Sequence, residues 1–254
     1  MIESDDYIIK LVDSSHKKWS FESKHKNNLG FYKSIQQLGI LENCNLYKKS
    51  TTICDDDDEE IQLHFFARSV QPICHFFTNN ELDNGDKKSV VTDKYDFSMR
   101  ALYCLSKQQN ILFENGLGFH TLDINDIYVF NGRDVLCVNP SLSYPVIKQT
   151  HTHDGTNNIK YMFHFKSPFI RNRMSSPELL NMCSLPTKTD ALKTYHYTLA
   201  IFVYFCLFGV PYNRGDSLET DINLKQIIYT KHYWFMKKML TSTPELRPDT
   251  INII

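Results

Sequence analysis

The chain has 254 residues, with 28 basic against 29 acidic side chains and a formal net charge of -1. It has no global field to recruit nucleic acid or an anionic membrane, so a partner must be sought in local surface. Seven cysteines are scattered without a Cys-x-x-Cys pair, several inside apolar runs, which is the pattern of free buried thiols in a reducing compartment.

The length suffices for one full core or for two lobes sharing an interface. The first ten residues, MIESDDYIIK, are acidic and polar ahead of any apolar run, unlike a secretory signal. The longest apolar stretch, Leu199 to Val210, is shorter than the roughly 20 helical residues that a bilayer requires. These features read as a soluble intracellular protein. The Asn-, Ile- and Lys-rich composition is similar to that of AT-rich genomes such as those of some large DNA viruses.

In chain order, Tyr7 to Val12 (YIIKLV) is a β-branched apolar run interrupted by Lys10 and reads as a strand. Leu29 to Leu41 has apolar residues near helical spacing. Leu46 to Cys54 and Ile61 to Val70 read as a hairpin across six consecutive carboxylates, Asp55 to Glu60. Without fixed geometry such a run is a solvated, self-repelling loop and not a cation site. Pro72 and the Asn/Asp/Gly-rich segment Thr78 to Lys87 mark a linker and place a boundary between 1–78 and 79–254. Tyr95 to Phe113 reads as a buried helix.

The stretch Leu112 to Ser143 then reads helix end, loop, hairpin, loop, with Asn131-Gly132 as the hairpin turn. Ser143 to Ser175 is polar and irregular. Its His151-Thr152-His153-Asp154 has the residue types of half a metal site but no second cluster. Tyr195 to Gly209 is hydrophobic nearly all round and reads as a central buried helix. Ile222 to Leu240 and Pro248 to Ile254 supply closing helices.

Several of these segments, in this order, resemble the eukaryotic protein-kinase family. Phe119 to Val129 (FHTLDINDIYV), the hairpin, and Val138-Asn139-Pro140-Ser141 are similar to that family's His-Arg-Asp catalytic loop, hairpin and Asp-Phe-Gly. Ser175-Ser176-Pro177-Glu178 is similar to Ala-Pro-Glu, Gly209-Val210-Pro211-Tyr212 to Gly-x-x-Pro-Phe, and Pro244 to Pro248 to Asp-Pro-x-x-Arg-Pro. The resemblance implies an α+β, bilobal fold: a truncated β-rich small lobe over 1–78 and a mainly helical large lobe over 79–254. It also implies one ion pair, Glu178 with Arg247.

YIIKLV is similar to the family's Val-Ala-Ile-Lys strand, which makes Lys10 the candidate lysine for nucleotide phosphates. Only nine residues precede it, too few for a glycine-rich loop. No acidic residue lies between Lys24 and Leu41 to orient it from the helix, and Glu22 sits too early.

The chemical positions depart from the family. Thr121 stands where the catalytic Asp is expected, His120 for its Arg, and Tyr195 for the Asp that grips the catalytic loop. Asp126 and Asn139 exchange the family's metal-binding Asn and Asp, and are the candidate metal ligands. Asp123 is a displaced alternative base that needs a register slip.

The implied function is that of a pseudokinase, a non-catalytic regulator that binds a protein partner such as a kinase or a kinase substrate. It would take no cofactor, or ATP with magnesium weakly. The alternatives are an atypical active serine/threonine kinase using Lys10, Asp126 and Asp123, and a structural interaction module that binds no nucleotide.

Overall fold

The computed structural model describes residues 1–24, 28–50, 59–77, 87–153, 156–214 and 218–249. Its first part is an antiparallel sheet in the order β1-β2-β3-β5-β4. The strands are β1 (Ile2–Glu3), β2 (Tyr7–Asp13), β3 (Lys18–Ser23), β4 (Glu42–Ser50) and β5 (Glu59–Phe66). Strand alternation places Tyr7, Ile9, Phe21, Leu63 and Phe65 on one face. Helix α1 (Leu29–Gln37) covers that face with Phe31, Tyr32 and Ile35, which fall on one side of a helix. The rings of Phe21 and Tyr32 meet edge to face at 5.1 Å.

The expected strand Ile61 to Val70 is two strands. β5 ends at Phe66, and Val70 opens β6 (Val70–Pro72), which joins a different sheet by pairing with β8 (Ile127–Phe130). The exit is tied down by Ala67, whose N–H donates to Lys17 O at 3.2 Å. The acidic run at 55–58 and the linker at 78–86, with the expected lobe boundary, lie outside the described residues.

Helix α2 (Lys87–Glu114) is longer than the expected 95–113. It leads through β7 (Leu117–Phe119) to the β8–β9 hairpin, whose second strand is β9 (Asp134–Cys137). Asn131 and Gly132 both have positive φ, 56° and 72°, in a three-residue loop whose turn is closed by Arg133 N donating to Phe130 O at 3.0 Å. Arg100 on α2 pairs with Asp134 and holds the hairpin against the helix.

The segment after Ser143, expected to be irregular, is instead a long hairpin of β10 (Ser143–His153) and β11 (Thr156–Phe165). It lies in a four-stranded sheet in the order β12-β11-β10-β7, closed by β12 (Thr187–Asp190). Tyr161, Phe163 and Phe165 alternate towards a second apolar cluster with Phe113, Leu179 and Ala191, and Phe113 stacks on Tyr161 at 4.4 Å. Period-two order hidden among Lys, His and Asn decides the matter. His151 and His153 fall on β10, their side chains and Asp154 lying outside the described residues.

Short helix α3 (Pro177–Leu180) precedes α4 (Ala191–Phe208), which is buried nearly all round as expected. Asp190 caps its start, accepting from Lys193 N at 3.0 Å, and Gly209 ends it in the left-handed region at φ 69°. By length and composition α4 could cross a bilayer, but 78% of it is buried inside the fold. The single helix expected over 222–240 is two, α5 (Ile222–Lys225) and α6 (Lys231–Met239). Each has its own N-cap, Asp221 accepting from Leu224 N and Thr230 from Tyr233 N. Residues 250–254 of the last expected helix lie outside the described residues. The six described cysteines form no disulfide, and Cys104, Cys137 and Cys206 are buried.

The predicted ion pair is present. Arg247 Nη1 and Nη2 donate to Glu178 Oε1 at 2.7 Å and Oε2 at 2.9 Å, and the Arg247 side chain is fully buried. Burial raises the Glu178 carboxyl, but the hydrogen bonds and charge of Arg247 outweigh it and hold the group below its ordinary value. Replacing either partner with Ala strands a buried charge, so Arg247→Ala and Glu178→Ala are each expected to cost about 3–5 kcal/mol in urea unfolding. A loss below about 1 kcal/mol would show that the pair is not buried as described.

His120 and His196 provide a second test. Burial pushes each down to about 4 from 6.5, outweighing their bonds to Ile170 O and Pro248 O. The unfolded chain therefore binds protons at these sites from about pH 6.5 downwards, while the folded chain does so only near pH 4. Stability is full above about pH 6.5 and falls between there and about pH 4, by roughly 3 kcal/mol per histidine at the lower end. Calorimetric Tm values taken across that window check it, and a flat profile would refute it.

Candidate functional site

The loop that follows α2 is positioned by two buried glutamines. Gln108 exchanges both amide groups with the Cys137 backbone, donating to Cys137 O at 2.8 Å and accepting from Cys137 N at 3.1 Å. Gln109 Oε1 accepts from Phe119 N at 2.9 Å. These residues are 0% and 1% exposed. Neither stands out in the sequence as a functional residue; the only signal is that helical spacing places them on the stripe of Leu105 and Leu112.

Thr121 is fully buried beneath the segment 172–175. Its Oγ1 donates to Asn172 Oδ1 at 2.9 Å and accepts from Ser175 Oγ at 3.1 Å. Asn172 Nδ2 donates in turn to Leu122 O at 2.8 Å. Asn172 therefore fills the space above Thr121. Asp123 is engaged in a local turn, its Oδ1 accepting from Asn125 N and Nδ2, both at 3.0 Å. Tyr195 makes no bond to this loop; its hydroxyl donates to Leu105 O on α2 at 2.9 Å.

Asp126 and Asn139 are brought together, and the chain's own N-terminal residues close over them. Asn139 Nδ2 donates to Asp126 Oδ2 at 2.9 Å and to Asp6 Oδ2 at 2.8 Å, while Asn139 Oδ1 accepts from Ser141 N at 2.9 Å. Tyr7 Oη donates to Asp126 Oδ1 at 2.9 Å and lies 3.1 Å from Tyr128 Oη. Ser141 Oγ donates to Asp6 Oδ1 at 3.1 Å.

This network fixes the amide of Asn139. Its nitrogen must face the two carboxylates and its oxygen the Ser141 N–H, so it presents N–H where a metal ligand would present a lone pair. Burial pushes the Asp126 carboxyl up, with the Asp123 and Asp6 charges adding to it and the bonds from Asn139 and Tyr7 opposing it. Burial, the Tyr128 bond and the Asp126 charge push Tyr7 far up, so it remains a proton donor. Among the described residues, no three His, Cys, Asp or Glu side chains converge as a metal-binding group.

Lys10 is apart from this cluster. On β2, Tyr7 and Ile9 face inwards, and alternation turns Lys10 to the opposite face. It does have a partner, contrary to expectation: Lys10 Nζ lies 2.5 Å from Glu22 Oε1. The β2–β3 register pairs Lys10 with Ser20 and Ile8 with Glu22, which sets Glu22 diagonally beside Lys10. Glu22 is too early for the helix, but the sheet delivers it. The strand directly before α1 is β3, where kinases carry their lysine, whereas Lys10 is on β2.

No protein-family model matches the chain, and no curated protein matches it by sequence. Among solved structures it is similar to a rhoptry kinase from Toxoplasma gondii, with a TM-score of 0.56 and 13% identity, over 97% of this chain and 72% of that one.

The chain has a protein-kinase-like fold.

On that fold, Asp6 and Tyr7 lie against Asp126 and Asn139, and Asn172 lies against Thr121. The closure depends on the Asn139 amide, which separates two carboxylates. Asn139→Asp would set a third carboxylate between them and remove both donors. It is expected to cost about 1–3 kcal/mol or more at pH 7, with the deficit shrinking at pH 5 as the carboxyls take up protons. Urea unfolding at both pH values measures this, and a variant as stable as the wild type at pH 7 would refute the arrangement.

Proposed function

We infer that the protein is a pseudokinase, a kinase-like chain without phosphoryl transfer that acts by binding another protein. The observation that carries this reading is the double closure of the cleft, by Asp6 and Tyr7 over Asp126 and Asn139 and by Asn172 over Thr121. A threonine cannot take the substrate proton at neutral pH, and the loss of general-base help is typically worth about 100- to 10,000-fold. Lys10, on the far face of its strand and paired with Glu22, adds no charge at the cleft, where positioning and electrostatics carry most of the rate.

The partner is a protein, a kinase or a kinase substrate, with no role for nucleic acid or membrane. The setting is a cell interior, that of a host if the source is a large DNA virus. ATP with magnesium binds weakly or not at all. The atypical-kinase alternative has one feature in its favour: Asp6, Asp126 and Asn139 would group oxygens for a hard cation if the amide turned over and the first strands moved away.

Thermal-shift measurements with ATP and magnesium or manganese, and a radiolabelled phosphotransfer assay, separate the two. No shift in Tm and no transfer are expected. Transfer abolished by Lys10→Ala or Asp126→Ala would establish a working site and overturn the pseudokinase reading, whereas transfer unchanged in both variants would point to a contaminating kinase.

A further inference from the structure

The β10–β11 hairpin outruns the strands beside it. β7 pairs with β10 only over 143–145 and β12 with β11 only over 162–165, whereas β10 and β11 stay paired with each other as far as His153 and Thr156. Past β7, the outer edge of β10 has no neighbouring strand among the described residues.

One bond shows which backbone groups that edge presents. Val146 N donates to Gly116 O at 2.9 Å, on the β7 side and away from β11. In an antiparallel ladder the N–H and C=O of one residue point to the same side, and successive residues point to opposite sides. Ile147 and Gln149 therefore face β11, while Lys148 and Thr150 turn their N–H and C=O groups outwards beyond the end of β7. Ile147, Lys148 and Thr150 are all exposed. Alternating outward donors and acceptors at strand spacing match the main chain of one more extended strand.

Charge narrows the occupant. The stretches 143–153 and 156–165 contain Lys148 and Lys160 and no Asp or Glu. Pairing this edge antiparallel with the same edge of a second copy would set Lys148 opposite another lysine or an uncharged residue, never a carboxylate, and like charges directly opposite are destabilising. A strand with a carboxylate at that place is complementary. In the antiparallel sense the residue opposite Lys148 is followed by the one opposite Ile147, whose side chain is 47% exposed and suits an apolar, β-branched neighbour.

We propose that the outer edge of β10, over 146–150, takes an extended segment of a partner protein as an added antiparallel strand, with a carboxylate opposite Lys148 and an apolar β-branched residue opposite Ile147. This deepens the protein-binding reading above and rests on it.

The test is NMR titration of the full chain with the blocked pentapeptide threonine–valine–glutamate–valine–threonine. Two altered forms accompany it, one with lysine for the glutamate and one with the glutamate nitrogen methylated, which removes the N–H meant for Lys148 O. The parent peptide should bind at least about tenfold tighter than either, a factor of ten being about 1.4 kcal/mol. In the free protein the amides of Lys148 and Thr150 should exchange with solvent faster than those of Ile147 and Gln149, and the parent peptide should slow the first pair alone. Thr150→Pro removes an outward N–H, which an edge position tolerates, and should cut binding at least tenfold. Lys148→Glu keeps the backbone edge and should reverse the preference towards the lysine peptide.

The proposal is overturned if the parent peptide does not bind, if the methylated or the lysine form binds as tightly, or if the Lys148 and Thr150 amides are already as protected as their neighbours. A dimer seen by light scattering and dissociated by Thr150→Pro would also overturn it, making a second copy the occupant. A failed titration with no phosphotransfer removes only the docking edge, whereas phosphotransfer abolished by Asp126→Ala removes the pseudokinase reading and leaves the titration standing.

Discussion

The large lobe depends on one buried guanidinium. Arg247 places all five of its N–H donors: two on Glu178, and the others on the carbonyl oxygens of Lys193, Thr241 and Ser242. One side chain therefore ties together the start of α3, the first turn of α4 and the turn after α6. A fully desolvated cation is tolerated only when it is matched this completely. The match fixes the chain at Pro177–Glu178, and so anchors the segment just before it, 172–176, from which Asn172 reaches Thr121. The guanidinium also lies over the Tyr197 ring, 4.8 Å from its centroid.

The cluster of Asp6, Asn139 and Asp126 rests on a different balance of charge. Two carboxylates, Asp6 and Asp126, converge from opposite ends of the chain's first 130 residues, and a neutral amide is what lies between them. An amide nitrogen has two hydrogens, one for each carboxylate, so Asn139 meets both without bringing a positive charge. Tyr7 completes the shell from β2, and burial keeps its hydroxyl protonated. These bonds hold the first strands against the segment 126–141.

What the sequence by itself determined is what neighbouring residues write down. The Asn131-Gly132 turn is legible because only certain residues accept positive φ at two successive positions. The α4 helix is legible because no polar face interrupts it, and the Glu178–Arg247 pair because two short motifs occur in the order of a known family. The fold class followed from these. The tertiary structure decided where a residue meets something distant. Lys10 and Tyr7 share a strand, and only the pleat sends one to Glu22 and the other to Asp126. Gln108 and Gln109 look like solvated helix residues until Cys137 and Phe119 arrive to use them. Asp6 lies 133 positions from Asn139, and Asn172 lies 51 from Thr121. Local propensity and periodicity act over a few residues, whereas these bonds depend on chain topology, on sheet register and on the cost of leaving buried polar groups unpaired, none of which is expressed within any single stretch of sequence.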